Sequence, residues 1–400
     1  MAVLLRDASL WDGTGADVKH HVDVLIERGI VRSIQPSGQA ISADGERLID
    51  LDGAFLMPGL IDWHVHLVWS GSADPVAAVD ADGQHLTTIR ATANSRAELG
   101  GGVTTVCDLG GNWDIPISLS RAVARGYFEG PRIVAAGQTV VITGGHDGFW
   151  GIPSDGPDAV VRTVRRQVSL GAGVIKVSAT GGAYGRPEGE EIGQCELTYE
   201  ELSAAAVESH RFGLKAAAHA LGTEGIRNAV RAGIDVIHHG NFLDEETVGE
   251  MKQRHTFFCP TLLTYRTLAE GTEGGIPAYA VQKAQRTVRA HRESFRMALE
   301  AGIQIVAGTD AGSPRIPHPV IIPELQLMRE YGMPTEQVLR SATSIAAQAL
   351  GQADRFGTVE QGRCADLLVL ERNPLEDLTN LRQVRYIVRS GRVIEPGALI

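Results

Sequence analysis

The feature that most constrains the fold of this 400-residue chain is a repeated alternation of short apolar runs and longer stretches with helical spacing. Each run leads into a loop rich in Gly, Asp, Thr or His, which is typical of β-strands followed by helices. The runs, in order, are GLIDWHVHL, VTTVCDLG, RIVAAG, VIKVSATGG, KAAAHAL, DVIHHG, TFFCPTLL and QIVAGTDAG. Eight βα units predict an α/β fold, a (β/α)8 TIM barrel over residues 56–355, with helices such as 199–212 and 278–301 between strands.

The two ends of the chain have a different hydrophobic pattern. Residues 1–55 alternate apolar and polar positions in short runs such as VDVLIERGIVRSIQP, and the pattern returns in CADLLVLERNP and VRYIVRSGRVIE. This alternation is typical of antiparallel strands, and no helical period appears. Residues 1–55 and 356–400 are therefore predicted to pair into one small sheet domain.

Charge and cysteine content exclude several classes of protein. Lysine and arginine number 37 against 48 acidic residues, a net charge of −11, which argues against nucleic acid or an anionic membrane as a partner. The four cysteines show no CxxC spacing, so neither a disulfide framework nor a thiolate zinc site is expected. No signal peptide or membrane-spanning run is seen. We expect a cytoplasmic protein that forms a homo-oligomer.

The first predicted barrel strand ends in a pair of histidines, His64 and His66. Side chains alternate along a strand, so both imidazoles point the same way at the mouth of the barrel and can share one metal ion. Alone, the pair could equally be two ordinary hydrogen-bonded histidines at a strand end.

Later strand ends carry further candidate ligands. The fifth strand ends in His219, the sixth in His238 and His239, and the eighth carries Asp310 within GTDAG. Adjacent strand residues face opposite sides, so only one of the two neighbouring histidines can point into the barrel. With these residues at carboxyl ends of strands, convergence on one site is predicted.

Lys176 lies within VIKVSATGG, where apolar residues flank a long cation in a predicted core strand. Burying an ammonium group is costly unless it is neutralised or paired. One interpretation is a lysine that reaches a buried carboxylate. The other is a neutral lysine that reacts with carbon dioxide and gives a carbamate able to bridge two metal ions.

These motifs resemble the amidohydrolase superfamily over nearly the whole chain. PGLIDWHVH, IKVSATGG, the two later histidines and GTDAG match its binuclear metal pattern in order. The segments LLRDASLWDGTGADVKHHVDVLIERGIVRSI and GTVEQGRCADLLVLERNPLEDL look like its β-sandwich domain, built from both chain ends. VCDLGG, GGHDGFWG, IKVSATGGAYG and PTLLTY look like the branch of prolidase-type dipeptidases, N-acyl amino acid carboxypeptidases, ochratoxin-type amidases and imidazolonepropionases.

The resemblance implies two divalent ions, with zinc expected and manganese, iron or cobalt as alternatives. Their ligands would be His64, His66 and Asp310 on the first ion, His219 and His239 on the second, and Lys176, carboxylated by carbon dioxide, as the bridge. A hydroxide between the ions would attack the amide carbonyl. Asp310 would accept the proton of the hydroxide and pass it to the leaving nitrogen.

Loop residues are the candidates for contacts with the substrate. By resemblance, His146 in GGHDGFWG would hydrogen-bond the carbonyl or its oxyanion. Clamps for a substrate carboxylate could come from Tyr184, Arg186, Tyr265 and Arg266. His318, after the eighth strand, could also reach the pocket or could equally be a loop residue that leads into a helix. The dipeptidase branch often has a tyrosine two residues after the fifth-strand histidine, where this chain has Leu221. The other histidines and the charged run EGEE at 188–191 are expected on the surface, the histidines being His20, His21, His85, His210, His255 and His291.

The predicted function is metal-dependent hydrolysis of a small-molecule amide, either a dipeptide (Xaa-Pro or similar) or an N-acyl amino acid. Alternatives are opening of a cyclic amide or deamination of a nitrogen heterocycle, as in imidazolonepropionases, and hydrolysis of a carbamate, urea or organophosphorus ester. Mononuclear relatives usually lack the bridging lysine, so Lys176 favours the binuclear hydrolases. A catalytically inactive scaffold would be expected to lack a ligand, whereas all six are present.

Overall fold

The computed structural model describes residues 2–39, 47–186, 189–271 and 274–399. Its strands are β1 (Ala2–Leu10), β2 (Lys19–Glu27), β3 (Ile30–Pro36), β4 (Arg47–Asp50), β5 (Phe55–Pro58), β6 (Leu60–Val65), β7 (Val103–Asp108), β8 (Arg132–Ala135), β9 (Val140–Val141), β10 (Ile152–Pro153), β11 (Val174–Ser178), β12 (Lys215–Ala220), β13 (Val236–His239), β14 (Phe257–Cys259), β15 (Leu367–Leu370), β16 (Val384–Arg389) and β17 (Arg392–Ile394).

The α-helices are α1 (Pro75–Gly100), α2 (Ile115–Ala124), α3 (Pro157–Leu170), α4 (Tyr199–Arg211), α5 (Thr223–Ala232), α6 (Glu245–Arg254), α7 (Leu262–Glu270), α8 (Ala278–Gln285), α9 (Val288–Ala301), α10 (Ile321–Glu330), α11 (Thr335–Ser341) and α12 (Ser344–Ala349). Short 3-10 helices span Asn112–Asp114, Leu378–Arg382 and Pro396–Leu399. None of the described helices combines the length and the apolar character needed to cross a membrane.

Both ends of the chain contribute to one eight-stranded sheet. Its order is β17-β16-β15-β5-β1-β2-β3, and β4 pairs with β1. The junction between the two ends is the antiparallel pair of β15 and β5. Both terminal segments therefore belong to one sheet, joined through β5, which lies mostly beyond residue 55. The domain boundaries 1–55 and 356–400 and the sandwich arrangement stay predictions.

The central part of the chain has the predicted mixed α/β character with parallel strands. One sheet has the order β6-β7-β8, and a second has the order β10-β9-β11-β12-β13-β14. Seven of the eight predicted barrel strands are present as β6, β7, β8, β11, β12, β13 and β14. The described strand pairs form two open sheets, and the expected closed barrel is not seen among them.

The predicted eighth strand, QIVAGTDAG, does not form a regular strand. It makes isolated parallel bridges, from Ile305 to Phe258 of β14 and from Ala311 to Val65 of β6. Asp310 has φ of 60°, a left-handed conformation that does not continue a strand. The segment thus lies between β14 and β6 without joining either sheet as a full member.

Two predictions need correction, one about the extent of a helix and one about the exposure of a histidine. The helix predicted over 278–301 is two helices, α8 and α9, separated at Arg286 and Thr287. His291 of α9 was expected on the surface but is buried, and its ring contacts Tyr265 at a centroid distance of 5.2 Å.

Candidate active site

Three of the predicted metal ligands meet at the end of β6. Nε2 of His64 and Nε2 of His66 are 3.2 Å apart. Oδ1 of Asp310 lies 3.6 Å from the first of these nitrogens and 3.2 Å from the second. All three side chains are buried, and their ligand atoms lie close enough together to bind one cation.

Hydrogen bonds behind these ligands fix their orientation. Nδ1 of His66 donates to the carbonyl oxygen of Gly110 at 3.0 Å, so its Nε2 keeps a lone pair for a metal ion. The buried carboxylate of Asp62 accepts from the backbone N–H of His64 at 3.0 Å and from the hydroxyl of Thr309 at 2.7 Å. Asp62 therefore ties β6 to the segment that carries Asp310.

His219 and His239 form the neighbouring half of the site, with ring centroids 4.6 Å apart. Nδ1 of His239 donates to the hydroxyl oxygen of Thr261 at 2.7 Å, because that hydroxyl itself donates to the carbonyl of Pro260. Nε2 of His219 is buried without a hydrogen-bond partner among the described residues. Burial lowers the pKa of both rings well below the usual value, which favours the neutral form that binds metals.

His238 points to the face of β13 opposite to that of His239. It contacts His64 and does not line the cavity. Its Nδ1 lies 3.0 Å from Nδ1 of His64. This contact leaves Nε2 of His64 directed toward His66 and Asp310. Because side chains alternate along a strand, His238 contacts His64 whereas the adjacent His239 lines the cavity.

Lys176 of β11 lies at the floor of the same cavity and is buried. Within the described part of the chain, its ammonium group makes neither an ion pair nor a hydrogen bond. The interpretation of a lysine paired with a buried carboxylate is therefore not supported. Burial lowers the pKa of this amine, although the nearby carboxylates of Asp147 and Asp310 oppose that effect.

Left-handed backbone is concentrated at this site. Asp147, His239, Thr261 and Asp310 have φ between 50° and 70°. This conformation costs energy for residues with a side chain and is found disproportionately at functional sites. At Asp310 it turns the carboxylate toward the two histidines of β6.

His146 follows β9 and is held by acidic residues. Its Nδ1 donates to Oε1 of Glu190 at 2.8 Å, and its Nε2 lies 3.5 Å from Oδ1 of Asp147. Burial opposes a charge on the ring, but Asp147 and Glu190 together raise the pKa of His146 to about 9. The ring stacks on His219 at 4.1 Å, so a protonated imidazole faces the candidate metal ligands.

Glu190 corrects the expectation that the run EGEE is solvated surface. Its side chain is buried and accepts hydrogen bonds from the backbone N–H groups of Gly182 and Arg186 at 2.7 and 2.6 Å. Burial alone would raise the pKa of Glu190, but His146 and these N–H groups lower it to about 2. Glu191 is exposed as expected, and Glu188 lies outside the described residues.

The Glu190→Gln variant should move the alkaline limb of the kcat–pH profile to lower pH by about 1 to 3 units. The folded-state pKa of His146 is raised to about 9, so loss of a negative partner makes the ring lose its proton at lower pH. Hydrolysis followed from pH 6 to 10 tests this expectation. Glu191→Gln, which removes an exposed carboxylate paired with Arg286, is the matched control. An unchanged alkaline limb in Glu190→Gln would contradict the role given to His146.

The cavity in front of these groups has a volume of about 40 Å³ available to water-sized molecules. Beyond the candidate ligands and His146, its lining residues include aromatic and aliphatic side chains, four of which carry hydroxyls: Trp69, Ala183, Tyr184, Thr264, Tyr265, Leu268, Ser313 and Pro314. Leu221 is fully buried in the apolar cluster behind Tyr265 and Leu268.

The structure separates the predicted substrate contacts into two groups. Tyr184 and Tyr265 line the cavity, and Tyr184 donates from its hydroxyl to Asp74 at 2.7 Å. Arg186 is exposed, and Arg266 pairs with Glu270 at 3.0 Å, so neither guanidinium lines the cavity. His318 is buried behind His66.

Sequence reasoning missed several residues of the site. Asp147 lines the cavity and accepts a hydrogen bond from Ser178 at 2.6 Å, and Trp69 forms one wall. The signal for Asp147 was its place beside His146 in a glycine-rich loop. The glycines around Glu190 were a similar signal, because a Cβ at Gly182 would lie only 2.4 Å from the ring of His146.

Comparison with known proteins gives consistent similarities. The sequence profile of the Amidohydrolase family matches residues 55–394. Ochratoxinase from Aspergillus niger is 29% identical over 379 residues, covering 86% of this chain and 76% of that protein. The crystal structure of a Xaa-Pro dipeptidase with methionine bound in its active site aligns with a TM-score of 0.90 at 30% identity, covering 99% of this chain and 100% of that one. A prolidase complexed with N-methylphosphonate-L-proline aligns with a TM-score of 0.90 at 28% identity, with coverage of 99% and 100%.

Proposed function

Because the chain belongs to the amidohydrolase family, we propose that it cleaves the amide bond of a dipeptide, Xaa-Pro or similar, or of an N-acyl amino acid. The enzyme is a hydrolase that acts on carbon–nitrogen bonds. The observation that carries the proposal is the set of six candidate ligands around one buried cavity: His64, His66, Lys176, His219, His239 and Asp310.

The donor set fits two divalent cations. His64, His66 and Asp310 would hold one of them, and His219 and His239 the other. The buried, unpartnered Nε2 of His219 and the neutral imidazoles suit zinc, a metal that prefers nitrogen and oxygen ligands of this kind. Lys176, which has no ion pair among the described residues, would be carboxylated and shared by both ions. Bound cations would supply Lewis acidity toward the substrate carbonyl and lower the pKa of a water molecule.

Side chains of the protein itself transfer the proton, stabilise the oxyanion and exclude water. The carboxylate of Asp310 accepts the proton of the attacking water and returns it to the leaving nitrogen. His146, held protonated by Glu190 and Asp147, donates from Nε2 to the developing oxyanion. The buried rings of Trp69 and Tyr265 keep bulk water away from these groups.

The cavity walls favour an uncharged, apolar substrate residue. No arginine is among the lining residues of the described ranges, so the clamp expected from Arg186 and Arg266 is unsupported. Ser313 would instead offer a hydroxyl to a substrate carboxylate, since the hydroxyls of Tyr184 and Thr264 already donate to Asp74 and to the carbonyl of Thr309. The related structures contain methionine in one case and a proline derivative in another, both of which have apolar side chains.

The (β/α)8 barrel remains part of this proposal. The backbone N–H of Trp63 donates to Ala307 at 2.9 Å, and that of Gly173 donates to Ala135 at 2.9 Å. The first bond joins β6 to the irregular segment around Ala307, and the second joins β8 to the residue before β11. They support one ring of strands with the site at its carboxyl ends.

Hydrolysis of a substrate panel by zinc- or manganese-loaded protein tests the proposed function. The panel should hold Xaa-Pro and other dipeptides, N-acyl amino acids with apolar or charged side chains, and cyclic amides. We expect turnover of dipeptides or N-acyl amino acids with apolar side chains. Turnover restricted to cyclic amides, or no turnover of any compound, would reject the proposal.

A further inference from the structure

One face of α1 contacts the loop that follows β6. Arg90, Asn94 and Glu98 are spaced four residues apart and therefore share that face. Nε of Arg90 donates to the carbonyl of Val68 at 3.2 Å. The side-chain amide of Asn94 donates to the carbonyls of Leu67 and Trp69 at 2.9 and 2.8 Å.

Glu98 reaches the same loop through His318. Nδ1 of His318 lies 2.6 Å from Oε1 of Glu98, and both side chains are almost fully buried. Nε2 of His318 lies 3.3 Å from the carbonyl oxygen of His66. The ring thus bridges the helix to the backbone of a candidate metal ligand.

Together, these side chains contact four consecutive carbonyl groups, from His66 to Trp69. The loop carries His66 at one end and Trp69, a wall of the cavity, at the other. It also packs closely on the segment after Asp310, because a Cβ at Gly312 would lie 2.4 Å from the carbonyl oxygen of His66 and 3.2 Å from Nε2 of His318. Little movement of the loop is possible while these contacts are made.

We propose that Arg90, Asn94 and the Glu98–His318 pair are positioning residues that hold His66 at the distance from His64 and Asp310 needed to bind a cation. The proposal rests on the metal role proposed for His66. Contacts of this kind around a ligand typically change metal affinity by about 10- to 100-fold when they are removed. The histidines of the other ion, His219 and His239, lie on different strands, so their site should be affected less.

The test is zinc affinity, measured on metal-free protein by competition with a chromophoric chelator. We expect His318→Ala and Asn94→Ala to weaken one of two zinc sites by about 10- to 100-fold. His318→Gln, whose amide can still reach the carbonyl of His66, should recover part of the loss. Gln84→Ala, which removes an amide from the exposed face of the same helix, is the control and should match the unmodified protein. Affinities within twofold of that protein for both alanine variants, with unchanged helix content, would overturn the proposal.

A second measurement does not depend on metal. Hydrogen exchange of peptides covering residues 63–72 should be at least about tenfold faster in Asn94→Ala and His318→Ala than in Gln84→Ala. If the unmodified protein bound no zinc, the proposed function would fail, yet faster exchange would still support the positioning of this loop. Equal exchange in all three variants would reject the positioning role by itself.

Discussion

Asp310→Asn should reduce kcat by roughly 10²- to 10⁴-fold while the protein keeps its fold and much of its bound metal. The amide retains an oxygen near Nε2 of His66, where the carboxylate oxygen lies at 3.2 Å, but it cannot accept the proton of the attacking water. The left-handed backbone of residue 310 suits asparagine nearly as well as aspartate, so a backbone effect is not expected.

The measurements for this variant are steady-state turnover of the best panel substrate and metal content by mass spectrometry. Asp80→Asn, which changes an exposed aspartate of α1, serves as the control. Turnover of Asp310→Asn within a few-fold of the unmodified enzyme would show that another group carries the proton.

Lys176→Ala should lose metal and activity together. The lysine is the candidate ligand shared by both ions and lines the cavity together with both groups of histidines, so its replacement removes that ligand. Small carboxylic acids such as acetate or propionate should restore part of the activity, since their carboxylate can occupy the place of the carbamate.

Lys215→Ala is the matched control, because Lys215 lies at the opposite end of the neighbouring strand and pairs with Asp235. In metal-loaded crystals of the unmodified protein, an anomalous-scattering map would locate the ions, and the electron density at Lys176 would show whether a carbamate lies between them. Two fully occupied ions in Lys176→Ala, with normal turnover, would disprove the bridging role.

The parts of the fold that were predictable from the sequence are those with a regular hydrophobic period. Strands such as β6 and β11 are short runs of mostly apolar residues, so His64 within β6 and Lys176 within β11 could be located. The segment 304–312 was apolar enough to suggest a strand, but the left-handed conformation of Asp310 does not continue one. Periodicity carries no information about such a local turn.

Loop residues were harder to predict, because charge alone does not say which way a loop side chain points. Glu190 and Arg186 lie four residues apart in one loop, yet the carboxylate is buried against His146 and the guanidinium is exposed. The difference arises from backbone N–H groups that surround Glu190, a feature of three-dimensional conformation. The contacts of Arg90, Asn94 and Glu98 on α1 could not be predicted either, because they too depend on the three-dimensional conformation.

The antiparallel pair of β15 and β5 has a consequence for biosynthesis. β5 precedes β6 by a single glycine, Gly59, whose N–H donates to the carbonyl of Asp366 at 2.9 Å. Because Asp366 is synthesised some 300 residues after Gly59, the edge of β5 that faces β15 stays unpaired while the intervening residues are made, although β1 can already pair with the other edge. A nascent or truncated chain that lacks β15 would expose that edge, and catalytic competence should arise only after β15 has been synthesised.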